Sequence, residues 1–396
     1  MAVQTDKPPS IVRRFLVAYG ADQAATTAIY LTLAWAVIRS GSPAWAMALL
    51  IASPSVVKVV VMASVGGALA DRHGPTQTAR ATVLLRMVVL GCLLLALQLG
   101  SVLALFVGAL TYGLVDGVHE PALRAVSTVL KKEQRGLQGS LDVVGRIGRL
   151  GAGPLVGLLI SWLGAPAAIA STIAVLALTL AALPQVKPPP RAPSDASLRS
   201  LFSESWEAWQ RAATAPEVRF ILVVFACANI LLTPPVIAGL PLLTDVRTWP
   251  ALALGLLSAG YQGGSLAGAV IAQRKGDSVH RVYLVSLLSL IPAAASVASL
   301  AWLSWWPGAV AVLFVAGVSS GLGPALLGGE LKEQTPPEMQ GRTQGVLATI
   351  NIGVGPLGYA LLAALAGWTP VPWAVAAFGV ALLMVTPVLL RTAPGP

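Results

Sequence analysis

The sequence predicts an all-α membrane protein of twelve transmembrane helices in two six-helix pseudo-repeats. Three observations support this fold class. Only 11% of the 396 residues are charged and 56% are apolar, whereas soluble globular domains carry about 25% charged residues. The apolar residues occur in runs of roughly 20, long enough to cross a hydrocarbon core of about 30 Å. Several sequence features of the first half also recur in the second half, which indicates an internal repeat.

The apolar runs give the predicted bounds of each helix, and an even number of crossings places both termini on the same side of the membrane. The twelve predicted helices span 14–37, 44–70, 77–99, 102–130, 138–163, 165–184, 218–243, 250–273, 279–303, 308–331, 341–367 and 371–390. The first apolar run reads as a retained helix, since no small-residue cleavage site follows a short apolar core near the N-terminus.

The basic residues predict the orientation, because cytoplasmic loops of membrane proteins are enriched in Lys and Arg. Most of the 26 lysines and arginines lie in the termini, in the even-numbered loops and at their edges. The opposite loops hold Arg39 and Arg247. Both termini are therefore predicted to be cytoplasmic, in a bacterial inner membrane. The net charge of +10 thus reflects topology, and no nucleic-acid partner is predicted.

Tryptophan supports the same topology, because its ring favours the membrane interface. At the predicted outer ends of the helices lie Trp35, Trp45, Trp162, Trp249, Trp302, Trp305, Trp306, Trp368 and Trp373. These positions agree with the orientation that the basic residues give.

One long hydrophilic segment, 185–217, divides the chain into an N-terminal bundle at 1–184 and a C-terminal bundle at 218–396. The segment begins with the proline-rich stretch QVKPPPRAPSDAS, typical of a linker. Apolar residues follow at helical spacing and predict an amphipathic helix on the inner leaflet: Leu198, Leu201, Phe202, Trp206 and Trp209.

An offset of about 202 residues relates the two halves. Gly66 to Gly74 reads GGALADRHG, and Gly268 to Gly276 reads GAVIAQRKG. GPLVG at Gly153 recurs as GPLGY at Gly355. Duplicated halves around a site near the membrane midplane are a common plan of transporters.

Ionisable residues within the predicted helices are functional candidates, because a charge in hydrocarbon is costly unless it is paired or hydrated. They concentrate in the first half: Asp22, Lys58, Asp116, His119, Glu120, Arg124, Asp142, Arg146 and Arg149. Spacings of three and four residues place those of helix 102–130 on one face and those of helix 138–163 on another. We expect an interhelical charge network, with a static set of ion pairs as the alternative.

Asp22 is the first candidate for proton coupling. Lys58 is its only evident partner, and apolar surroundings favour the protonated form of a carboxylate. A structural hydrogen bond is the alternative role. Asp116 and Glu120 are further candidates, with Arg146 and Arg149 as their expected partners. His119 is expected either to relay protons, since histidine titrates near neutral pH, or simply to pack.

Two motifs carry a resemblance to a known family. Gly67-x-x-x-Asp71-Arg72-x-Gly74 resembles the Gly-x-x-x-Asp-Arg-x-Gly-Arg-Arg signature of the major facilitator superfamily, although a Pro-Thr pair replaces its final two arginines. The resemblance implies the major-facilitator fold and a conformational gate at these four residues, with a solvated turn as the alternative.

The second motif is Gly153-Pro154-x-x-Gly157, similar to the core of a motif in drug and metabolite antiporters. The stretches 20–45 and 120–134 resemble the enterobactin-exporter and macrolide-efflux-like branch, also called transmembrane secretion effectors. This resemblance implies a monomer, surrounded by membrane lipid, that exports an amphipathic natural product from the cytoplasm by proton antiport.

Other functions stay open or are disfavoured. Proton-coupled import and a non-transporting membrane sensor are the alternatives. No HExxH motif or nucleophile-and-base arrangement supports an enzyme. With two cysteines and three histidines, the sequence predicts no cofactor and no metal site.

Overall fold

The structure is a computed structural model. It describes residues 10–62, 69, 72–130, 137–186, 210, 214–275, 281–336 and 340–394. By internal contacts the chain divides into two compact units. The first comprises Met1–Ala36 with Val56–Arg191, and the second comprises Val37–Ser55 with Ala192–Pro396. The predicted linker at 185–217 lies mostly outside the described residues, so its amphipathic helix and the predicted domain bounds stay predictions.

The described elements are helical throughout. They are α1 (Ser10–Arg39), α2 (Ala44–Val61), α3 (Pro75–Gln98), α4 (Val102–Leu130), α5 (Leu137–Ala182), α6 (Pro216–Leu231), α7 (Leu240–Val246), α8 (Ala251–Lys275), α9 (Val282–Ser299), α10 (Trp306–Glu333), α11 (Gln340–Gly353), α12 (Gly355–Trp368) and α13 (Val371–Thr392).

Eight helical segments of the described chain are long and apolar enough to cross a membrane. α1 and α8 are long but are not among the eight, since glycines and polar residues interrupt their apolar sequence. The predicted helices at 138–163 and 165–184 form the single segment α5, which is broken at Gly164. The all-helical prediction is confirmed for the described residues, and the count of twelve stays a prediction.

Glycine and proline set two of the helix boundaries. Gly74 has φ 89° and ψ 139°, and Pro75 follows it as the first residue of α3. A positive φ favours glycine, and proline suits the first helical turn because its missing N–H has no partner there. Gly164 has φ 83°, and Pro166 lies close beyond it. These residues fix where α3 begins and where α5 breaks.

The first unit has an apolar core at the end of the bundle where α1, α3, α4 and α5 meet. Its buried members are Val12, Phe15, Ala18, Ala79, Ala122, Leu123, Val126, Leu130, Leu137, Leu141 and Leu183. This core packs the four helices together. The polar residues of α1, α3 and α4 lie further along these helices, toward the middle of the bundle.

In the second unit, α8 and α10 pack backbone against backbone. A Cβ added at Gly264 would lie 2.8 Å from the amide nitrogen of Val318, and one added at Gly321 would lie 2.8 Å from the carbonyl carbon of Ser265. Small residues that let helix backbones approach are typical of membrane helix interfaces. The glycines therefore set the distance between these two helices.

Candidate functional site

Arg86 is the centre of a polar cluster inside the first unit. It lies near the middle of α3 and is fully buried. Its Nη1 donates to Oδ1 of Asp22 at 2.6 Å, its Nε donates to the hydroxyl of Tyr112 at 3.0 Å, and its Nη2 donates to Thr26 at 2.9 Å. A buried guanidinium needs this set of acceptors, because its planar donors are otherwise left unpaired.

Asp22 of α1 is 3% exposed and has two partners. Its Oδ1 also lies 3.1 Å from Nε2 of His119 on α4. The expectation that Lys58 is its only evident partner is therefore wrong. That expectation compared depths along the helix axes and overlooked α3, which supplies Arg86 on the side of α1 that Asp22 faces.

Lys58 of α2 instead pairs with two carboxylates of α4. Its Nζ lies 2.7 Å from Oδ2 of Asp116 and 2.7 Å from Oε2 of Glu120. Glu120 also accepts a hydrogen bond from Arg124, one turn further along α4. Gly117 allows this approach, since a Cβ there would lie 2.8 Å from the carbonyl oxygen of Lys58.

The two groups of charges meet at Asp116, whose Oδ1 lies 3.9 Å from Nη1 of Arg86. We call the whole set the charge cluster: Asp22, Lys58, Arg86, Asp116, His119, Glu120 and Arg124. Three carboxylates and three basic side chains balance in it, so it is neutral when His119 is neutral. The predicted polar face of α4 is present, but its partners are Lys58 and Arg86 and not the expected arginines of α5.

The polar residues of α5 face α1. Arg149 donates a hydrogen bond to Oε1 of Gln23. Asp142 and Arg146 also take part in polar or electrostatic interactions. Between them, a Cβ at Gly145 would lie 3.0 Å from Cε1 of Tyr19. Gly145 and Gly148 thus allow α5 to pack closely on α1.

The motif residues are only partly described. Gly67 and Asp71 lie outside the described residues, so the gate assignment stays a prediction. Arg72 is exposed, and Gly74 takes the positive φ that ends the turn before α3. In the second motif, Gly153 and Gly157 are buried within α5 and flank Pro154. The structure therefore gives this motif a packing role and leaves its antiporter role untested.

Polar contacts in the second unit are mostly neutral. Nδ2 of Asn229 on α6 donates to Oδ1 of Asn351 on α11 at 2.9 Å. Nε2 of Gln334, just after the end of α10, donates to Oε1 of Glu330 at 2.9 Å. Within the described residues, no cluster of His, Cys, Asp or Glu has the arrangement of a metal site. The charged chemistry of the described chain is thus concentrated in the first unit.

Sequence reasoning missed Arg86, Tyr112 and Thr82. A signal for Arg86 was present, because it interrupts the apolar run ATVLLRMVVLGC in the middle of a predicted helix. An arginine at that depth is a functional candidate by default. Tyr112 and Thr82 carry no comparable signal, since both residue types are ordinary in membrane helices.

A family model identifies the family of the chain, and solved structures show the same fold. Residues 15–352 match the family model of the Major Facilitator Superfamily. No curated protein sequence matches the chain significantly. Similar solved structures include a single-residue variant of the nucleoside transporter NupG, with a TM-score of 0.76, 14% identity, and 96% of this chain and 99% of that chain covered.

NupG itself has a TM-score of 0.73 and 15% identity, with 96% and 98% of the two chains covered. The POT family transporter PepTSo has a TM-score of 0.68 and 14% identity, with 98% of each chain covered. At such identities the likeness concerns the fold alone. The family match covers most of the chain, and it is a match to transporters and not to enzymes. This chain belongs to the Major Facilitator Superfamily.

Proposed function

We propose that the protein is a secondary active exporter of a small amphipathic organic molecule, such as a drug, a siderophore or another natural product. It works by alternating access and proton antiport, as a monomer in a bacterial inner membrane with both termini in the cytoplasm. The chain's resemblance to the enterobactin-exporter and macrolide-efflux-like branch supports the direction, and the charge cluster supports the coupling.

The observation that carries the coupling is the buried contact of Asp22 with Arg86 and His119. Ionised side chains in a membrane bundle are costly and are kept where a protein moves ions or protons. Protonation of Asp22 or His119 leaves the charge cluster with a net positive charge. Its ion pairs must then rearrange, which gives proton binding an energetic link to the positions of α1, α3 and α4.

The second unit supports an amphipathic cargo. Its helices are rich in Ala, Leu, Val and Gly, and its polar contact between Asn229 and Asn351 is neutral. Binding sites for small organic molecules are mostly apolar and contain a few placed polar groups. A sugar would require many more hydrogen-bonding side chains than these helices offer.

Transport in inside-out vesicles tests the proposal. The vesicles carry the protein and an imposed proton gradient, acid inside, and a pH-sensitive dye reports the lumen. Addition of a macrolide or a catecholate siderophore is expected to cause cargo uptake and loss of luminal protons. Vesicles without the protein are the control. Uptake that is indifferent to the gradient would contradict proton antiport.

Proton-coupled import is the second candidate, because the similar structures include nucleoside and peptide transporters. Right-side-out vesicles with a proton gradient, acid outside, separate the two directions. A nucleoside and a dipeptide are the probes. Import predicts their accumulation in these vesicles. Export predicts none, and a sensor predicts that no tested compound moves in either vesicle type.

A further inference from the structure

Thr82 lies on α3 one turn before Arg86 and is 6% exposed. Its hydroxyl oxygen lies 2.9 Å from the carbonyl oxygens of Thr78 and Ala79 and 2.8 Å from Nδ1 of His119. A hydroxyl group has one hydrogen to donate and an oxygen that also accepts. The hydroxyl of Thr82 can therefore donate to a backbone carbonyl or to His119, but not to both at full strength.

The direction in which Thr82 donates its hydrogen determines which nitrogens of His119 carry a hydrogen. When Thr82 donates to a carbonyl, its oxygen accepts from Nδ1–H of His119. While Asp22 is ionised, the contact of 3.1 Å between Nε2 and its carboxylate then requires a second hydrogen on the ring, so His119 is an imidazolium. When Thr82 donates to Nδ1, that nitrogen carries no hydrogen, and neutral His119 donates to Asp22 through Nε2.

The two arrangements differ by one proton. When neutral His119 becomes charged, the added proton binds to Nδ1, and Nε2–H continues to donate to Asp22. The hydroxyl of Thr82 then rotates, so that its hydrogen points to the carbonyl of Thr78 or Ala79 instead of the ring. In both arrangements each N–H of His119 and the hydroxyl hydrogen of Thr82 have an acceptor. The charged one also provides an acceptor for each N–H of the imidazolium, which a buried charged donor needs.

We propose that Thr82 is a positioning residue whose hydroxyl reversal lets His119 bind and release the coupled proton. The assignment rests on the proposed function for its role in transport, but its chemistry belongs to His119 and can be measured without transport. The role of Thr82 is distinct from that of Asp22, because Thr82 accepts the hydrogen bond from Nδ1–H, the second N–H of the imidazolium.

The charged groups that act on His119, directly or through one partner, come from four helices. Asp22 on α1 and Asp116 on α4 interact with His119 itself, Arg86 on α3 pairs with Asp22, and Lys58 on α2 pairs with Asp116. Asp22 contacts Nε2 and Thr82 contacts Nδ1, so the hydroxyl of Thr82 determines how well a hydrogen on Nδ1 is accommodated.

Three variants of the purified full chain test the proposal. Thr82→Val keeps the shape but removes the hydroxyl, and Thr82→Ser keeps the hydroxyl. Thr172→Val is the control, because Thr172 is also buried and its hydroxyl donates to a backbone carbonyl of its own helix, that of Ala168. The measurement is the nitrogen NMR spectrum of labelled histidine over a pH series, with the His119 signal assigned by His119→Gln.

In the wild type we expect a neutral ring with its hydrogen on Nε2 at high pH and an imidazolium at low pH. Hydrogen bonds to charged groups are roughly twice as strong as neutral ones. Loss of the hydroxyl should therefore disfavour the imidazolium more and move the midpoint to lower pH by roughly 0.5 to 1 unit in Thr82→Val. Thr82→Ser and Thr172→Val should keep the wild-type midpoint.

Several results would overturn the proposal: an unchanged midpoint in Thr82→Val, an equal shift in Thr82→Ser, or a neutral wild-type ring with its hydrogen on Nδ1. The last of these needs only the wild type, so the proposal can fail even if Thr82→Val does not fold. In inside-out vesicles the pH optimum of antiport should shift in the same direction. If the NMR results hold and no antiport is found, the proposed function fails and the role of Thr82 at His119 stands.

Discussion

The two units use different means to bring corresponding helices together. In the first unit, α2 meets α4 through Lys58, which pairs with Asp116 and Glu120. At the offset of the sequence repeat, Lys58 corresponds to Gly260 on α8, where a Cβ would lie 2.8 Å from the carbonyl oxygen of Val310 on α10. The first interface thus adds ion pairs to a close approach at Gly117, whereas the second depends on direct backbone contact.

The same contrast extends to other members of the charge cluster. About 202 residues after Asp22 and Arg86 stand Val224 and Leu288. Ion pairs in a membrane can exchange partners when one member binds a proton, whereas glycine-mediated contacts depend only on shape and have nothing to titrate. Under the proposed function, the first unit therefore responds to protons, whereas the second holds a fixed helix pair.

The largest expected effect follows Arg86→Gln. It leaves Asp22 buried without its cation, and breaking a buried ion pair costs about 3–5 kcal/mol. We expect low folded yield and no gradient-driven transport. Arg124→Gln is the control, because its side chain is 55% exposed, where an ion pair contributes about 1 kcal/mol or less. Equal unfolding midpoints of the two variants in detergent would remove Arg86 from the centre of the cluster.

Asp22→Asn should act on coupling more than on folding. The amide keeps an acceptor for Arg86 and a similar shape, but it lacks the negative charge that pairs with the His119 imidazolium and has no carboxylate to bind a proton itself. We expect gradient-driven uptake into inside-out vesicles to be abolished, while cargo binding at equilibrium and downhill exchange are retained. The measurement is uptake and binding of the same cargo at matched protein levels. Full gradient-driven uptake by the variant would assign coupling to Glu120.

Gly317→Ala tests the other side of the comparison. A Cβ at Gly317 on α10 would lie 2.9 Å from the amide nitrogen of Ser265, so α8 and α10 must separate. Gly328→Ala, on the same helix, meets nothing within 4 Å and should stabilise the helix by about 0.5–1 kcal/mol. We expect Gly317→Ala to lower the free energy of unfolding by about 1–3 kcal/mol. The unfolding midpoints of the two variants in detergent check this.

The cost of Gly317→Ala should also be the same at mildly acid and mildly alkaline pH. If both alanine variants raise the midpoint alike, backbone contact does not set the distance between α8 and α10.

Composition and periodicity predicted the helices well, and the tertiary partners poorly. The predicted helix at 102–130 has the bounds of α4, and the predicted boundary between 163 and 165 coincides with the break at Gly164. These features depend on local sequence. The partner of Asp22 does not, because the rise per residue gives the depth of a side chain but not the face of the bundle to which it points. Only the tertiary packing of α1 with α3 brings Arg86 to Asp22.

The smallest expected effect concerns the neutral link between Asn229 and Asn351. At the repeat offset Asn351 corresponds to Arg149, which binds Gln23, so an amide stands where the first unit has a cation. A double-mutant cycle of Asn229→Ala and Asn351→Ala should give a coupling energy of about 0.6 kcal/mol, the average for hydrogen bonds between membrane helices. Neither amide ionises in this range, so the coupling energy should be equal at mildly acid and mildly alkaline pH. The cycle is measured by unfolding in mixed detergent micelles. A parallel cycle of Lys58→Ala and Glu120→Ala supplies the contrast, since its coupling should weaken once the pH is low enough to protonate the carboxylate, while the coupling of the two amides stays constant over the same range. Equal pH dependence of the two cycles would contradict the division into a responsive unit and a fixed one.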